Sequence, residues 1–368
     1  MANTMMTYID GSKDSIDNIV ENRKKITEKL VDLYLEKDYH NIWIVACGSS
    51  YNGSLCGKPF MMKYLDTDVK MVNPNNFICG EDRVKDDDFV VFVSQSGCST
   101  NTIEAIEHFK KMNRKAVSIT ANADGDFKDH ADYVIDWSCG EETVGYVTKG
   151  VSTLALFFMC FALEAAYKKK MIDDDKYDEI VEEMKELGER NRIVKEKTLK
   201  FIDDNYKTLT SMNKVYSVGF SQGFSIASEG ALKMGETIKI PSFAYEAEEY
   251  IHGPNLQLNP TYSVFFVDDM DKGSERLETI YKATKSVTDN AFMLTDRESD
   301  DPKVLSMGFD VKEPLLSPVY CLSFFQTLAY SVSDVLNTWD TYKLMKIFNE
   351  TARTKTDIIY NVMPDIGI

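Results

Sequence analysis

The sequence predicts an α/β protein built from two similarly folded subdomains. Short apolar strands alternate with helices, which is typical of parallel sheets covered by helices on both faces. Glycine- and serine-containing turns follow several of these strands. The order strand, turn, helix, strands and apolar helix occurs twice, as in an internal repeat. We therefore divide the chain into an N-terminal helical arm (1–38), a first subdomain (39–170), a helical connector (171–210), a second subdomain (211–345) and a C-terminal tail (346–368).

The arm carries apolar side chains at helical spacing over residues 12–37. In the first subdomain, runs of branched and aromatic residues predict strands, and an apolar helix closes the subdomain. The predicted strands are 42–46, 69–72, 88–93, 116–120 and 133–136, with helices at 51–65, 100–112 and 151–167.

The connector is charge-dense and helical in its period over residues 168–209. The strand pattern then returns, and a second apolar helix closes the second subdomain. Its predicted strands are 215–219, 262–267 and 291–294, with a helix around residue 229 and another at 317–338. We expect the tail to combine a helix with an irregular end.

Composition narrows the possible partners. The chain has 368 residues, 43% apolar content and a net charge of −17, so we expect a globular protein that binds neither nucleic acid nor an anionic membrane. Seven cysteines without a C-x-x-C pair favour reduced thiols. Cysteine and histidine do not cluster at zinc spacings, so we expect no metal and no cofactor. The apolar run 154–163 is too short to span a bilayer, and no secretion signal is visible, so we expect a cytoplasmic protein.

Two turns of the first subdomain follow strands at the edge where parallel sheets bind ligands. The first turn is 47–50, and the second, 94–100, carries four hydroxyl side chains before a predicted helix. Free N–H groups, the helix dipole and hydroxyls can hold a phosphate without lysine. One hydroxyl would be an ordinary helix cap, but four exceed what capping requires. Neither turn has a dinucleotide or P-loop fingerprint, which disfavours NAD and ATP.

A group of side chains suited to proton transfer lies in the second subdomain. Glu229, Lys233 and Glu236 are spaced i, i+4 and i+7, so a helix projects all three from one face. His252, one of four histidines, follows in a His-Gly-Pro corner. Together these groups could act as acids and bases. The alternative is an ordinary surface ion pair between Glu229 and Lys233 and a packed histidine.

Two cysteines lie in the candidate ligand turns. Cys98 is a possible nucleophile, but it has no histidine near it in the sequence. We expect Cys47 to be packed at the end of its strand.

Five separated motifs resemble, in the same order, the double sugar-isomerase (SIS) module of glucosamine-6-phosphate synthase. The resemblance covers about residues 40–345 and both halves of the repeat. It implies two tandem SIS subdomains, each a three-layer αβα sandwich around a flavodoxin-like parallel sheet. The motifs are Ala46-Cys-Gly-Ser-Ser-Tyr-Asn52, Val93-Ser-Gln-Ser-Gly97, Thr148-Lys149, Glu229-Gly-Ala-Leu-Lys233 followed by Glu236, and His252-Gly-Pro254.

The resemblance implies a role for each matching residue. Glu236 would move a proton between sugar carbons C1 and C2, His252 would open the ring or act as a second acid or base, and Glu229 and Lys233 would orient them. It also implies a homodimer or higher homo-oligomer with shared sites, in which His252 can come from a neighbouring subunit. The residues implied to bind the sugar phosphate are Ser49, Ser50, Ser94, Gln95, Ser96, Ser99 and Thr148.

Two departures from the synthase matter. The chain before residue 42 is too short for a glutaminase domain, so we expect no glutamine-dependent amination. Lys355 lies in a tail that does not align cleanly with the synthase tail, so the role of the synthase's tail lysine is not assigned to it.

The resemblance extends to stand-alone deglycases of similar length. It therefore implies an enzyme that cleaves 6-phosphorylated fructosamine-type adducts into hexose 6-phosphate and free amine. The alternatives are an amino-sugar 6-phosphate deaminase or aldose–ketose isomerase and, in a different class, a non-catalytic sugar-phosphate sensor.

Overall fold

The computed structural model describes residues 4–357 and Ile359, which divide into two compact units. The first unit contains Asp14–Lys185 and the described residues from Thr341 onward, and the second contains Met5–Lys13 and Glu186–Asp340. The described part of the tail therefore belongs with the first subdomain. The ends of the predicted arm and tail, residues 1–3, 358 and 360–368, lie outside the described residues.

The first unit is organised around a five-stranded parallel sheet in the order β2-β1-β3-β4-β5. Every residue of β3 is buried, as the apolar run 89–93 predicts for a strand covered on both faces. All five predicted strands of this unit are confirmed. The strands are β1 (Asn41–Ala46), β2 (Asp68–Val72), β3 (Asp88–Val93), β4 (Val117–Thr120) and β5 (Tyr133–Asp136).

Helices cover both faces of this sheet. The N-terminal arm forms one long helix after a short first turn, and the connector begins with another. The helices with most or all of their residues in the first unit are α2 (Ser12–Leu35), α3 (Ser49–Leu65), α4 (Pro74–Cys79), α5 (Thr100–Lys111), α6 (Phe127–His130), α7 (Lys149–Lys168), α8 (Asp174–Met184) and α15 (Met345–Ala352); α1 (Met5–Asp10) belongs to the second unit.

The second unit repeats this topology. Its parallel sheet has the order β7-β6-β8-β9-β10, which is the order of the first sheet strand for strand. The internal repeat is therefore confirmed, but the sequence pattern missed β7 and β10. Both lie at sheet edges, where a strand is short or half-exposed and gives little apolar signal. The strands are β6 (Val215–Gly219), β7 (Ser242–Glu246), β8 (Ser263–Val267), β9 (Ala291–Thr295) and β10 (Val304–Ser306).

The second unit contains the predicted helix around residue 229, the predicted apolar closing helix and two helices of the predicted connector. The helices of this unit are α9 (Leu187–Asp204) and α10 (Tyr206–Thr210) of the connector, α11 (Ser221–Thr237), α12 (Ala247–Ile251), α13 (Ser274–Lys285) and α14 (Pro318–Leu336).

The two closing helices form the most apolar part of each unit. By length and composition, Lys149–Lys168 and Pro314–Leu336 could cross a membrane, but 94% and 83% of these windows are buried within the protein. Such burial is that of core helices. The run 154–163, predicted to be a buried helix, lies in the middle of α7.

Candidate active site

The hydroxyl-rich 94–99 loop connects the end of β3 to the start of α5. Gly97 adopts a positive φ of 64°, which lets the loop turn sharply before the helix. The turn brings the Ser94 and Ser99 hydroxyl oxygens to 2.8 Å from each other. The loop therefore presents hydroxyls at the carboxyl edge of the sheet, beside the helix N-terminus.

The first turn, after β1, lies against this loop. Ser50 Oγ accepts a 3.2 Å hydrogen bond from the backbone N–H of Gln95. Ser49 is the first residue of α3 and is buried. Two strand ends far apart in sequence thus meet, as the parallel sheet predicts.

The tail of the chain contributes a lysine to the same loop. Lys355 Nζ lies 3.1 Å from Ser96 Oγ and 2.9 Å from Ser99 Oγ. Backbone bonds fix this position, since Lys355 forms an antiparallel bridge with Ser99 and the N–H of Thr356 donates to the Cys98 carbonyl at 3.0 Å. The local sequence around Lys355 gives no sign of this contact, because the loop lies some 256 positions away in the chain.

The environment of Lys355 makes it an unusual amine. Burial lowers the pKa of the Lys355 ammonium group, while the thiols of Cys98 and Cys47 oppose this shift. A lower pKa increases the neutral fraction of the amine near neutral pH. The neutral form is the nucleophile that attacks sugar carbonyls.

The side chain of Gln95 is held by Glu142, a carboxylate that sequence analysis did not select. Gln95 Nε2 donates to Glu142 Oε2 at 2.7 Å, and both side chains are buried. Thr148, predicted to bind substrate, is fully buried; its N–H donates to Glu142 Oε1 and its hydroxyl to the carbonyl of Tyr146. Its substrate contact stays a prediction. Glu142 follows Glu141 in a loop, and two adjacent glutamates in a loop are usually exposed to solvent. The sequence therefore gives no sign that Glu142 is buried.

In the second unit, α11 presents the predicted proton-transfer group. Lys233 Nζ lies 3.4 Å from Glu229 Oε1 and 2.6 Å from Glu236 Oε2. The side chains of Glu229 and Lys233 are 0% exposed, whereas that of Glu236 is 34% exposed. The alternative of an ordinary surface ion pair is therefore wrong. A buried ammonium between two carboxylates fixes Glu236, the one member that solvent reaches.

His252 follows α12 in an exposed turn. Its Nδ1 lies 2.7 Å from the carbonyl oxygen of Glu248, so Nδ1 carries the hydrogen and Nε2 is left to exchange a proton. In the described part of the chain, no hydrogen bond or ion pair joins His252 to Glu236. Its three fellow histidines face carboxylates instead, in the pairs His40–Asp87, His108–Asp82 and His130–Glu107.

The cysteines of the two turns differ from each other. Cys98 is buried and its thiol donates to the Ser96 carbonyl; burial raises its pKa, which opposes a nucleophilic role. Cys47 is exposed after β1, so its predicted packing is wrong. Cys47 lies one residue beyond the end of β1, and both it and Gly48 are exposed to solvent.

The family model described as SIS domain matches residues 37–166, which contain the whole first sheet. Residues 37–166 form a SIS domain. The second unit has the same strand order, so the chain has the tandem SIS fold, and the resemblance inferred from the motifs is confirmed.

The glutamine–fructose-6-phosphate aminotransferase (isomerizing) of Caldanaerobacter subterraneus subsp. tengcongensis is 27% identical over 328 residues, which are 86% of this chain and 53% of that protein. The chain thus spans about half the length of the curated relatives it matches.

Solved structures agree on the fold. The C-terminal domain of glucosamine-fructose-6-phosphate aminotransferase from Francisella tularensis superposes with a TM-score of 0.81 at 21% identity, covering 92% of this chain and 97% of that one. Glucosamine-6-phosphate deaminase from Thermotoga maritima gives 0.66 at 22% identity, covering 89% and 94%. At these identities the likeness establishes the fold.

Proposed function

We propose that this protein is an enzyme that binds a 6-phosphorylated sugar derivative and acts on it by acid–base catalysis. The observation that carries the proposal is the 94–99 loop, where serine hydroxyls, a helix N-terminus and the Lys355 ammonium converge. Hydroxyls, N–H groups and a cation together suit a phosphate dianion. They also explain how a protein with a net charge of −17 could hold an anion.

The proposed acid–base groups are Glu236 of α11 and His252, which follows α12. The ion pair with Lys233 fixes the position of the Glu236 carboxylate, and the Glu236 side chain remains accessible to solvent. A carboxylate held in this way can move a proton between neighbouring carbons of an open-chain sugar, and His252 Nε2 can supply or accept a second proton. Glu229 and Lys233 orient Glu236 and stay buried.

We favour cleavage of a 6-phosphorylated fructosamine-type adduct. Glu236 removes a proton from C1, which bears the amine, and the enolamine takes up a proton at C2 to give an imine at C1. Water adds to the imine, and the C–N bond breaks with proton transfer to nitrogen. Adduct and water give hexose 6-phosphate and free amine, with no oxidant or reductant.

The position of Lys355 favours a second candidate. A tail amine with a lowered pKa at the sugar-phosphate loop suits an amino-sugar 6-phosphate deaminase or an aldose–ketose isomerase, in which the amine forms an imine with the sugar carbonyl. In the deglycase, the same ammonium would serve the phosphate alone.

The test is a substrate panel. Purified protein is incubated with fructoselysine 6-phosphate, glucoselysine 6-phosphate or glucosamine 6-phosphate, and glucose 6-phosphate, fructose 6-phosphate and free amine are assayed. Turnover of the amino-acid adducts alone supports the deglycase, and turnover of glucosamine 6-phosphate alone supports the deaminase. Tight binding without turnover would identify a sensor and contradict the enzyme.

Variants assign the chemistry. Glu236→Gln should lower turnover by about 10²–10⁴-fold while leaving sugar-phosphate affinity unchanged; full activity would contradict the proposal. Lys355→Met should weaken sugar-phosphate binding in both candidates. Only in the deaminase or isomerase should it also abolish trapping of an imine by borohydride, detected as a mass increase of the protein.

We further propose a cytoplasmic homodimer with shared sites. If His252 acts in the neighbouring subunit's site, mixing inactive Glu236→Gln and His252→Gln proteins should restore part of the activity, because some sites in the mixed dimers retain both groups. No recovery under conditions of subunit exchange would contradict shared sites.

A further inference from the structure

Glu142 is a buried carboxylate that none of the proposed chemical steps uses. It lies between β5 and α7, in the first unit, and only 5% of it is exposed. Burying a carboxylate is costly unless hydrogen bonds satisfy it. Its position beside the 94–99 loop therefore requires an explanation.

Three N–H groups converge on this carboxylate. Glu142 Oε2 accepts from Gln95 Nε2 at 2.7 Å and from the Gly150 N–H at 3.1 Å, and Oε1 accepts from the Thr148 N–H. Thr148 and Gly150 begin α7, so the carboxylate also lies at the positive end of a 20-residue helix. Of the three donors, the Gln95 amide alone belongs to a side chain that can rotate.

The backbone of Gln95 is fixed independently of Glu142. Its N–H donates to Ser50 Oγ, and its carbonyl oxygen accepts from Thr120 Oγ1 at 3.0 Å and from the Ala121 N–H at 3.1 Å. Glu142 therefore decides where the amide of Gln95 lies, and not where its main chain lies.

Gly150 makes room for this arrangement. A Cβ atom added at Gly150 would lie 2.6 Å from Gln95 Cδ, so any side chain there would displace the amide. Because a carboxylate only accepts hydrogen bonds, Nε2 must face Glu142. The bond to Glu142 uses one of the two Nε2 hydrogens.

We propose that Glu142 is a positioning residue of the sugar-phosphate site, holding the Gln95 amide on the Gly150 backbone in the orientation that binds the phosphate. This inference rests on the proposed function of the 94–99 loop. The same carboxylate accepts the N–H groups of Thr148 and Gly150 at the N-terminus of α7.

Glu142→Gln tests the inference with a minimal change of shape. Glutamine has one acceptor oxygen and an NH₂ group, so it cannot accept from all three donors. The backbone N–H groups of Thr148 and Gly150 are fixed in the helix, and the Gln95 side chain would move. Gly150→Ala should displace the same amide while Glu142 stays intact, which provides a second variant if the first folds poorly.

The measurement is the dissociation constant for glucose 6-phosphate and for inorganic phosphate by calorimetry, with steady-state kinetics on whichever sugar derivative is turned over. Both variants should weaken phosphate binding about tenfold and raise KM by a similar factor, with kcat within about threefold. Combining Glu142→Gln with Gln95→Ala should weaken binding no further than Gln95→Ala alone, because one residue acts through the other.

Glu164→Gln is the matched control. Glu164 is also 5% exposed and belongs to α7, but it bonds to Arg23 and Tyr177. Its variant should lose stability without a change in phosphate affinity.

The outcomes are separable. A lower melting temperature with unchanged phosphate affinity in Glu142→Gln would overturn the inference and leave a purely structural carboxylate. Additive losses in the double variant would overturn it as well. If the unaltered protein binds neither glucose 6-phosphate nor phosphate, the proposed function fails and the inference with it. If the protein binds them but turns over no sugar derivative, the proposed chemistry fails, while the predicted affinity changes still decide the role of Glu142.

Discussion

The loops after β3 and β8 occupy equivalent places in the two sheets but carry opposite chemistry. Each loop follows the third strand along its sheet, has six residues (94–99 and 268–273) and leads into a helix that begins with Thr100 or Ser274. The first loop is rich in hydroxyls. In the second, Asp268 and Asp269 replace Ser94 and Gln95.

The aspartates satisfy the donors that an anion would otherwise use. Asp268 accepts hydrogen bonds from the Met270 N–H, the Ser274 hydroxyl and Thr295 Oγ1. Asp269 accepts from the N–H groups of Asp271 and Gly273. In the first loop the hydroxyls bond instead to one another and to a lysine.

The difference shows how one backbone can support two roles. In the second unit a carboxylate belonging to the chain occupies the anion position, so the loop stabilises the fold and we expect no phosphate there. In the first unit the corresponding position has no carboxylate of its own, and a cation lies beside it. Repetition of a fold therefore does not imply repetition of a site.

The largest expected effect comes from giving the first loop the chemistry of the second. Ser94→Asp should weaken glucose 6-phosphate binding at least about 100-fold, because a carboxylate repels the phosphate and takes its donors. The reciprocal variant Asp268→Ser should leave that affinity unchanged. It should instead lower the free energy of unfolding by about 2–3 kcal/mol, because buried donors lose a charged acceptor.

Calorimetry and urea unfolding measure the two properties on both proteins. Retained affinity in Ser94→Asp would mean that the phosphate binds elsewhere. Lost affinity in Asp268→Ser would remove the distinction between the loops.

A smaller effect on stability tests a feature that the two units share. In each unit, a glycine lies where the closing helix packs closely against another helix. A Cβ atom on Gly230 of α11 would lie 2.6 Å from Phe325 Cδ1 of α14, and one on Gly57 of α3 would lie 2.9 Å from Phe158 Cβ of α7. Gly230→Ala should destabilise the protein by about 1–3 kcal/mol through overpacking.

The control lies in the same helix. The nearest atom to an added Cβ on Gly235 is the Ile240 carbonyl oxygen, at 4.0 Å. Gly235→Ala should therefore stabilise the protein by up to about 1 kcal/mol, because alanine favours helix. Thermal unfolding measures the melting temperature of both variants. Equal changes in melting temperature would show that Gly230 does not pack closely against α14.

The smallest effect concerns Asp296, a carboxyl group that follows β9 and has a raised pKa. Burial raises the pKa of Asp296 to about 6, with Asp268 adding to the shift; the Phe309 N–H and the charges of Arg190 and Lys197 oppose it. Since the unfolded pKa is near 3.9, the folded state holds the proton more tightly. Because of this group, the free energy of unfolding should thus decrease as the pH rises from about 4 to about 6.

Asp296→Asn should remove this dependence. The free energy of unfolding of the variant, minus that of the unaltered protein, should be about 1 kcal/mol larger at pH 8 than at pH 4, after allowance for partial solvent screening. Urea unfolding at both pH values measures it. A difference that does not change with pH would show that Asp296 is ionised without cost.

The sequence by itself determined the features that depend on near neighbours along the chain. The buried strand 88–93 is visible as a run of consecutive apolar residues over 89–93, and the hydroxyl-rich 94–99 loop follows it directly in the chain. The alignment of Glu229, Lys233 and Glu236 on one helix face follows from the 3.6-residue period alone. These patterns predicted the tandem fold and most of the candidate site.

Tertiary structure decided the features that depend on residues far apart in the chain. The burial of Lys233 follows from the packing of α11 in its unit, and the spacing of its neighbours allowed a surface pair equally well. The contact of Lys355 with Ser99, the hold of Glu142 on Gln95 and the equivalence of Asp268 with Ser94 all require the completed sheets. Such contacts leave no local periodic signal, because the chain closes them only when the strands are in register.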